Sequence, residues 1–140
     1  MTAVKACGSF LRYCWVLPVS CIGFVLIPLV IASGGTARVA AGVVEAEGGI
    51  LPWLLSHLRR HSSIDAMTIG HVIIGQSRES LFRCRDHELV HVRQYERWGI
   101  LFPLLYLLSS VAALVRGRDP YRDNRFEKDA FRASDTEMTN

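Results

Sequence analysis

The chain has 140 residues, of which 50% are hydrophobic and 21% are charged, with a formal net charge of +3. This apolar content excludes a disordered protein, and its uneven distribution argues against a fully water-soluble domain. The positive charge is small and scattered, without a block of Lys or Arg, so no nucleic acid partner is predicted. Two long stretches, residues 13–37 and 98–115, contain no charged residue.

The first uncharged stretch is long enough to form a membrane anchor. Its densest apolar part begins at Cys14 and ends at Ala32, which as a helix crosses about 30 Å of hydrocarbon. Lys5 and Arg12 precede it and favour a cytoplasmic N-terminus. A cleaved signal peptide is the alternative, but the apolar core is longer than the roughly 7–15 residues that are usual for a signal. We therefore predict a transmembrane helix in contact with membrane lipid.

The middle of the chain carries two strand patterns and two helix patterns. The strand patterns contain β-branched residues mixed with small ones. The helix patterns have apolar residues on one side and end in basic residues or glycine. The predicted elements are strands at 37–47 and 66–75, a helix at 50–61, and a helix from Glu79 or Leu81 to Trp98.

The second predicted helix contains His87-Glu88-Leu89-Val90-His91, which has the pattern H-E-x-x-H. Two histidines four residues apart lie on one helix face, so both imidazoles can reach a single Zn²⁺. Glu88 is rotated by about 100° from His87. Its carboxylate is therefore free to take a proton from a water molecule that the metal activates. The pattern predicts a zinc site with Glu88 as the general base.

A catalytic zinc site needs a third protein ligand, with the fourth position left for water. Glu127 fits best because it lies in a short helical pattern over 124–131, and Asp123 or Asn124 is placed to cap that helix. Three tyrosines are candidates for a hydrogen-bond donor to an oxyanion, namely Tyr95, Tyr106 and Tyr121. The candidates for the third ligand are Glu127, Asp129, Glu96, Cys84, His71 and Tyr121.

H-E-x-x-H followed by a distant helical Glu resembles the gluzincin class of zinc metallopeptidases. In that class the Glu often lies in the context N-x-x-E-x-x-A, which Asn124, Glu127 and Ala130 match. The segments HELVHVRQYERWG and DPYRDNRFEKDAF are also similar to a family of small bacterial proteins, predicted to be membrane-associated and of unassigned function. This second resemblance covers roughly residues 66–132.

The resemblance to gluzincins implies a complete set of site residues. It implies that His87, His91 and Glu127 bind the metal and that Glu88 is the catalytic base. Many gluzincins have an Asp four residues after the ligand Glu, which bonds back to the first His. This sequence has Phe131 at that position.

The second uncharged stretch is on the border between a core helix and a membrane span. If it crossed the bilayer, Glu127 would lie on the opposite side from His87 and His91. Returning it would move several Arg and Asp residues through lipid, at about 2.5–3.5 kcal/mol each. We therefore expect that residues 100–115 fold back as an antiparallel core helix, which could place one face in the membrane interface. A two-span protein is the alternative.

These patterns predict an α+β fold with a minimal zincin-like helical core and a short β element, preceded by an N-terminal transmembrane helix. The predicted units are an anchor or signal-like segment at 1–36, a metal-binding domain at 37–134 and a flexible tail at 135–140. The predicted function is Zn²⁺-dependent hydrolysis of peptide bonds in a peptide or protein substrate, outside the cytoplasm at a bacterial inner membrane. The alternatives are a non-catalytic, metal-stabilised protein and a two-span membrane protein.

Overall fold

The computed structural model describes residues 2–58 and 64–137, with side chains for residues 12–58 and 64–134. Within these ranges the chain forms both helices and strands, so the predicted α+β fold is confirmed. A 3₁₀ turn (Gly99–Leu101) joins the helix that ends at Trp98 to the helix that begins at Phe102. In chain order the elements are α1 (Thr2–Ala32), β1 (Thr36–Ala40), β2 (Val43–Glu47), α2 (Leu51–Leu58), β3 (Ala66–Ile69), β4 (Val72–Gly75), α3 (Arg78–Trp98), α4 (Phe102–Val115) and α5 (Arg125–Glu137).

Each of the two predicted strands is a β-hairpin, so the prediction of single strands was wrong. Residues 37–47 turn at Ala41 and Gly42, where φ is positive at 51° and 80°. Residues 66–75 turn at Gly70, where φ is 63°. Glycine reaches this left-handed region at no steric cost, so the glycine in each segment marks where the chain can reverse.

The two hairpins join into one mixed sheet with the strand order β1-β2-β4-β3. Each hairpin is antiparallel, whereas β2 and β4 are parallel, with Val44 opposite Val72. In the described part of the chain β3 pairs with β4 alone. Within these residues β3 is therefore an edge strand of the sheet.

Helices cover both faces of this sheet, because successive strand residues point to opposite sides. On one face the strands pack against α1 and α2, and the buried side chains there are Val30, Ala46, Leu51, Leu55, Val72 and Ile74. The other face packs against α3, where the buried side chains are Val43, Ala66, Ile73, Leu81 and Val92. The sheet thus holds α3 in a fixed position relative to α1.

Helix α1 packs closely along the sheet. The Ser20 hydroxyl accepts a hydrogen bond from the backbone N–H of His71 at 3.0 Å. A Cβ atom on Gly23 would lie 2.7 Å from the Cβ of Val72, so only glycine allows this close approach. Just after the end of the helix, a Cβ atom on Gly35 would lie 2.6 Å from the Cγ1 atom of Val30, so this position also requires glycine. The helix is therefore an integral layer of the fold.

The chain leaves α3 at Gly99, where φ is 55° and a Cβ atom would lie 2.3 Å from the Trp15 ring. In α4 the buried residues are Phe102 and Ala113. The predicted core helix therefore packs on the fold with one side only, and its other side is exposed, which agrees with the part of the prediction that allowed one face in the membrane interface. The exposed large aliphatic side chains are Leu104, Leu107, Leu108, Val111 and Leu114.

Two described regions are long and apolar enough to cross a membrane by length and composition. They are Arg12–Ala32 in α1 and an apolar window within Arg78–Val115. The finding agrees with the predicted membrane association. That α1 crosses the bilayer stays a prediction.

Some predicted boundaries fall outside the described part of the chain. Helix α2 is described as far as Leu58, and its predicted end at His61 lies outside the described residues. The side chain of Lys5, used to predict orientation, also lies outside them. Helix α5 continues to Glu137, and the rest of the predicted tail, residues 138–140, is outside the description.

Candidate metal centre

Helix α3 places two imidazoles side by side. The Ser77 side chain caps the helix by accepting a hydrogen bond from the Ser80 backbone N–H at 3.2 Å. One turn apart along α3, the Nε2 atoms of His87 and His91 are 3.1 Å from each other. Their rings meet edge to face, with centroids 4.8 Å apart. The predicted sharing of one helix face is confirmed.

Helix α5 brings the distant carboxylate to the same point. Glu127 Oε2 lies 3.1 Å from His87 Nε2, and Glu127 Oε1 lies 3.4 Å from His91 Nε2. Three ligands on a tetrahedral zinc ion at 2.0–2.1 Å are separated by about 3.3 Å. The three side chains are therefore spaced as ligands of one small cation would be, and they form a group that could hold a metal ion.

One oxygen of the Glu127 carboxylate lacks a hydrogen-bond partner among the described residues. Glu127 is 3% exposed, and its Oε2 atom receives no hydrogen bond from any residue within the described ranges. Its nearest ring nitrogen, His87 Nε2, faces it without the alignment of a hydrogen bond. Two such atoms facing each other in a buried place are what a shared cation would stabilise. The donor set thus fits a metal.

The ionisation of this group follows from its surroundings. Burial would raise the pKa of Glu127, but the neighbouring His87, His91 and the Tyr106 hydroxyl lower it to about 2. Burial lowers the pKa of His91, yet Glu127, Glu88 and Gln94 together raise it above its ordinary value. Glu127 is therefore an anion at neutral pH, as a metal ligand must be.

Gln94 fixes the orientation of one imidazole. Its Nε2 donates to the Phe126 carbonyl at 3.0 Å, so its Oε1 is the atom that faces His91 Nδ1 at 2.8 Å. His91 Nδ1 must then carry the proton, which leaves the lone pair of Nε2 directed at the metal position. The same side chain ties α3 to α5.

Tyr106 binds the carboxylate from the other side, and Asn124 fixes the helix that carries it. The Tyr106 hydroxyl donates to Glu127 Oε1 at 2.6 Å. Asn124 accepts a hydrogen bond from the Phe126 backbone N–H at 2.9 Å, which confirms its predicted role as the cap of α5. Its amide group donates to the Tyr106 carbonyl and to Ser110 Oγ. These bonds fix α5 on α4 and set the position of Glu127.

The predicted general base, Glu88, is buried between α3 and the sheet. It is 6% exposed, and the Thr68 hydroxyl on β3 donates to its Oε2 at 2.7 Å. Burial raises the pKa of Glu88, while His91, Thr68 and His87 oppose that increase. The net effect is that burial outweighs these neighbours and favours the protonated form of Glu88.

The residue that departs from the gluzincin pattern contacts the site directly. The ring of Phe131 lies 4.8 Å from that of His87. It covers the imidazole with an apolar surface where many gluzincins have a carboxylate.

The other candidates for the third ligand lie apart from this group. His71 is buried at the β3–β4 turn, where its Nε2 is 3.4 Å from Glu96 Oε1. Cys84 packs beneath the sheet, and Asp129 lies 3.9 Å from Arg132. In the part of the chain that the structure describes, one group of potential ligands is found, formed by His87, His91 and Glu127.

Three residues of the site were not assigned these roles from sequence. Gln94, Thr68 and Tyr106 act by orienting the predicted residues, and Tyr106 was considered only as an oxyanion donor. For Gln94 a signal existed, since it follows His91 by three residues on the same helix face. Thr68 and Tyr106 come from other elements, so their contacts depend on tertiary packing.

Comparisons of the chain with protein-family models, with curated proteins and with solved structures found no significant match. The resemblance to gluzincins therefore rests on the motif residues themselves.

Proposed function

We propose that the protein is a membrane-associated, zinc-dependent hydrolase of peptide bonds. In this proposal His87, His91 and Glu127 bind the metal and Glu88 is the general base. The observation that carries it is the 3.1–3.4 Å spacing of the three ligand side chains, each buried or nearly so.

Zinc is the metal that this ligand set favours. Two imidazole nitrogens and one carboxylate form a typical catalytic zinc site, whereas Mg²⁺ and Ca²⁺ prefer oxygen ligands. Three protein ligands leave a fourth position for water. A bound zinc ion would lower the pKa of that water to about 7.

Glu88 would take up the proton of the attacking water and later release it to the leaving amine. Three properties of Glu88 support this role: it is next to His87 in the chain, it is buried, and its pKa is raised. The Thr68 hydroxyl holds one carboxylate oxygen, which restricts the rotation of the side chain.

The sheet supports a peptide as the proposed class of substrate. Strand β3 is an edge strand, and its Thr68 contacts the helix that carries the metal ligands. An extended peptide can add to such an edge through main-chain hydrogen bonds. A peptide bound there would lie next to the metal centre, which favours a peptide over a small soluble ester.

A second candidate function is a metal-stabilised protein without catalysis. The hydrogen bond from Thr68 to Glu88 ties β3 to α3 and is also what a purely structural carboxylate would make. Phe131 on His87 reduces access to the site. Both functions share the metal, so the role of Glu88 distinguishes them.

The test uses the purified full chain, its zinc content measured by elemental analysis and its turnover of a quenched fluorescent peptide library. We expect Glu88→Gln to keep zinc and lose turnover at least about 100-fold. Glu79→Gln, an exposed position on the same helix, is the matched control and should leave both unchanged. If the Glu88→Gln protein were as active as the wild type, the enzymatic proposal would be wrong.

The ligand assignment needs its own variant. His91→Ala should lose zinc, whereas His57→Ala, at an exposed histidine of α2, should retain it. Unchanged zinc in His91→Ala would refute the metal site. Zinc lost in His91→Ala together with no turnover in the wild type would support the structural function.

A further inference from the structure

Helix α1 exposes apolar side chains over most of its circumference. Between residues 13 and 37 the chain has no charged residue. At about 100° per residue, the exposed positions form a sector of about 200° around the helix axis, with Ile31 at one edge of the sector and Trp15 at the other. The sheet covers only the opposite stripe. The exposed large side chains include Trp15, Leu17, Ile22, Phe24, Val25 and Leu29.

Helix α4 and the 3₁₀ turn before it expose a second set of apolar side chains. This set includes Ile100, Leu101, Leu104, Leu107, Leu108 and Val111. The two sets belong to neighbouring elements, because the Trp15 ring contacts Gly99 and both Val16 and Val19 pack with Phe102. We refer to both sets together as the apolar face.

Neither helix can cross a bilayer while it is packed in this way. The apolar window within Arg78–Val115 is long enough by length and composition, but α4, its straight part after the 3₁₀ turn, has 14 residues and is only about 21 Å long, against roughly 30 Å of hydrocarbon. The bonds of Tyr106 and Ser110 also hold α4 on α5. Helix α1 is long enough, but from Ser20 to Val30 it is packed on the sheet. The sheet would have to enter the lipid with it, together with charged groups such as the buried Glu45 and its partner Arg85.

Basic residues border the apolar face. Arg12 precedes the uncharged part of α1, and 62% of its side chain is exposed. At the other end, α4 is followed by three exposed arginines and one aspartate within seven residues, Arg116, Arg118, Asp119 and Arg122. Arginine at the border of an apolar helix face is complementary to anionic lipid headgroups.

We propose that the protein is monotopic: α1 and α4 lie in the plane of the membrane and insert the apolar face into one leaflet. A lipid leaflet fits better than a protein partner because the face covers about 200° of α1, offers few hydrogen-bonding groups and is bordered by arginines. The proposal does not depend on the metal centre. It replaces the predicted transmembrane helix by an interfacial one.

The first test measures the depth of one residue in vesicles. Cys21 is exposed and lies near the middle of the apolar segment of α1. A fluorophore is attached to it in the full chain after Cys7, Cys14 and Cys84 are changed to serine. Lipids that carry a quencher at a shallow or a deep position then report its depth. We expect stronger shallow quenching, at about 5–10 Å below the headgroups. Stronger deep quenching would show a spanning helix and overturn the proposal.

The second test measures binding to vesicles of phosphatidylcholine with and without phosphatidylglycerol. Val25→Asp and Leu107→Asp should each weaken binding by about tenfold or more, because each places a charge in the leaflet. Phe82→Asp is the matched control, since Phe82 is 82% exposed on α3 and lies outside the apolar face, and it should bind like the wild type. Phosphatidylglycerol should tighten binding by about fivefold for each arginine engaged.

The same variants distinguish a protein partner from lipid. If Val25→Asp and Leu107→Asp changed the oligomeric state of the chain and left vesicle binding unaltered, a second copy would cover the apolar face and the proposal would be wrong. Equal loss of binding in Phe82→Asp would also refute it, because the effect would not be specific to the face.

Discussion

Replacing Tyr106 with phenylalanine removes one hydroxyl group and keeps the aromatic ring. That hydroxyl donates to Glu127 Oε1 at 2.6 Å, which is the short distance of a hydrogen bond to a carboxylate. In Tyr106→Phe, Glu127 keeps its negative charge but loses the donor that fixes its orientation. We therefore expect zinc to bind more weakly while the fold is retained.

The magnitude follows from two independent quantities. A hydrogen bond to a charged group contributes about 1.5–3 kcal/mol. Loss of a partner that orients a metal ligand weakens metal binding by about 10- to 100-fold. We expect the Kd for zinc of Tyr106→Phe to rise by about 10- to 100-fold.

The assay is competition for zinc between the purified full chain and a chelator, with circular dichroism to verify the fold. Tyr13→Phe is the matched control, because its hydroxyl donates to the Gly42 carbonyl at 2.9 Å in another part of the molecule. It should leave the Kd within about twofold of the wild type. The reasoning would be refuted if Tyr106→Phe bound zinc as tightly as Tyr13→Phe does.

Two further predictions concern pH and backbone strain. Because the pKa of His91 is raised, its contribution to stability in the metal-free protein is full below pH 6.5 and is lost as pH rises through the folded pKa. The lowered pKa of Glu127, about 2, makes its contribution full above pH 4.5 and lost as pH falls toward 2. The Tm without zinc should therefore decline above about pH 6.5, and a flat profile would contradict this. Gly70→Ala should lower the Tm more than Gly117→Ala, since both have positive φ but only Gly70 lies against Ser20. An equal decrease in Tm for the two variants would argue against the contact between Gly70 and Ser20.

The residues that meet at the candidate metal site could be predicted from sequence because their signals are local. His87 and His91 share a face through their spacing alone. Asn124 and Glu127 are three residues apart and lie on the buried side of α5, where both are at most 3% exposed. The sequence pattern therefore singled out Glu127 among the carboxylates, whereas tertiary packing places it next to the histidines.

The hairpins were missed for a different reason. Segments 37–47 and 66–75 contain enough β-branched and small residues to be taken as continuous strands. Whether a chain continues or reverses at a glycine depends on what lies beside it. At Gly70 that neighbour is Ser20, whose backbone N atom lies 2.7 Å from the position of a Cβ. Its distance along the sequence hides this contact from any local pattern.

The second uncharged stretch shows how one helix can serve two environments. From sequence, metal closure and a second membrane span were treated as alternatives for residues 98–115, and a core helix with one face in the membrane interface was predicted. The polar residues within that stretch define the side of the helix that packs on the protein. Tyr106, Ser109 and Ser110 lie within four positions of one another, so they share one face of α4. Tyr106 binds Glu127, Ser109 Oγ accepts from a backbone N–H at the start of α5, and Ser110 accepts from the cap of that helix. The opposite face keeps only aliphatic side chains, so α4 can position the metal ligand with one side and contact lipid with the other.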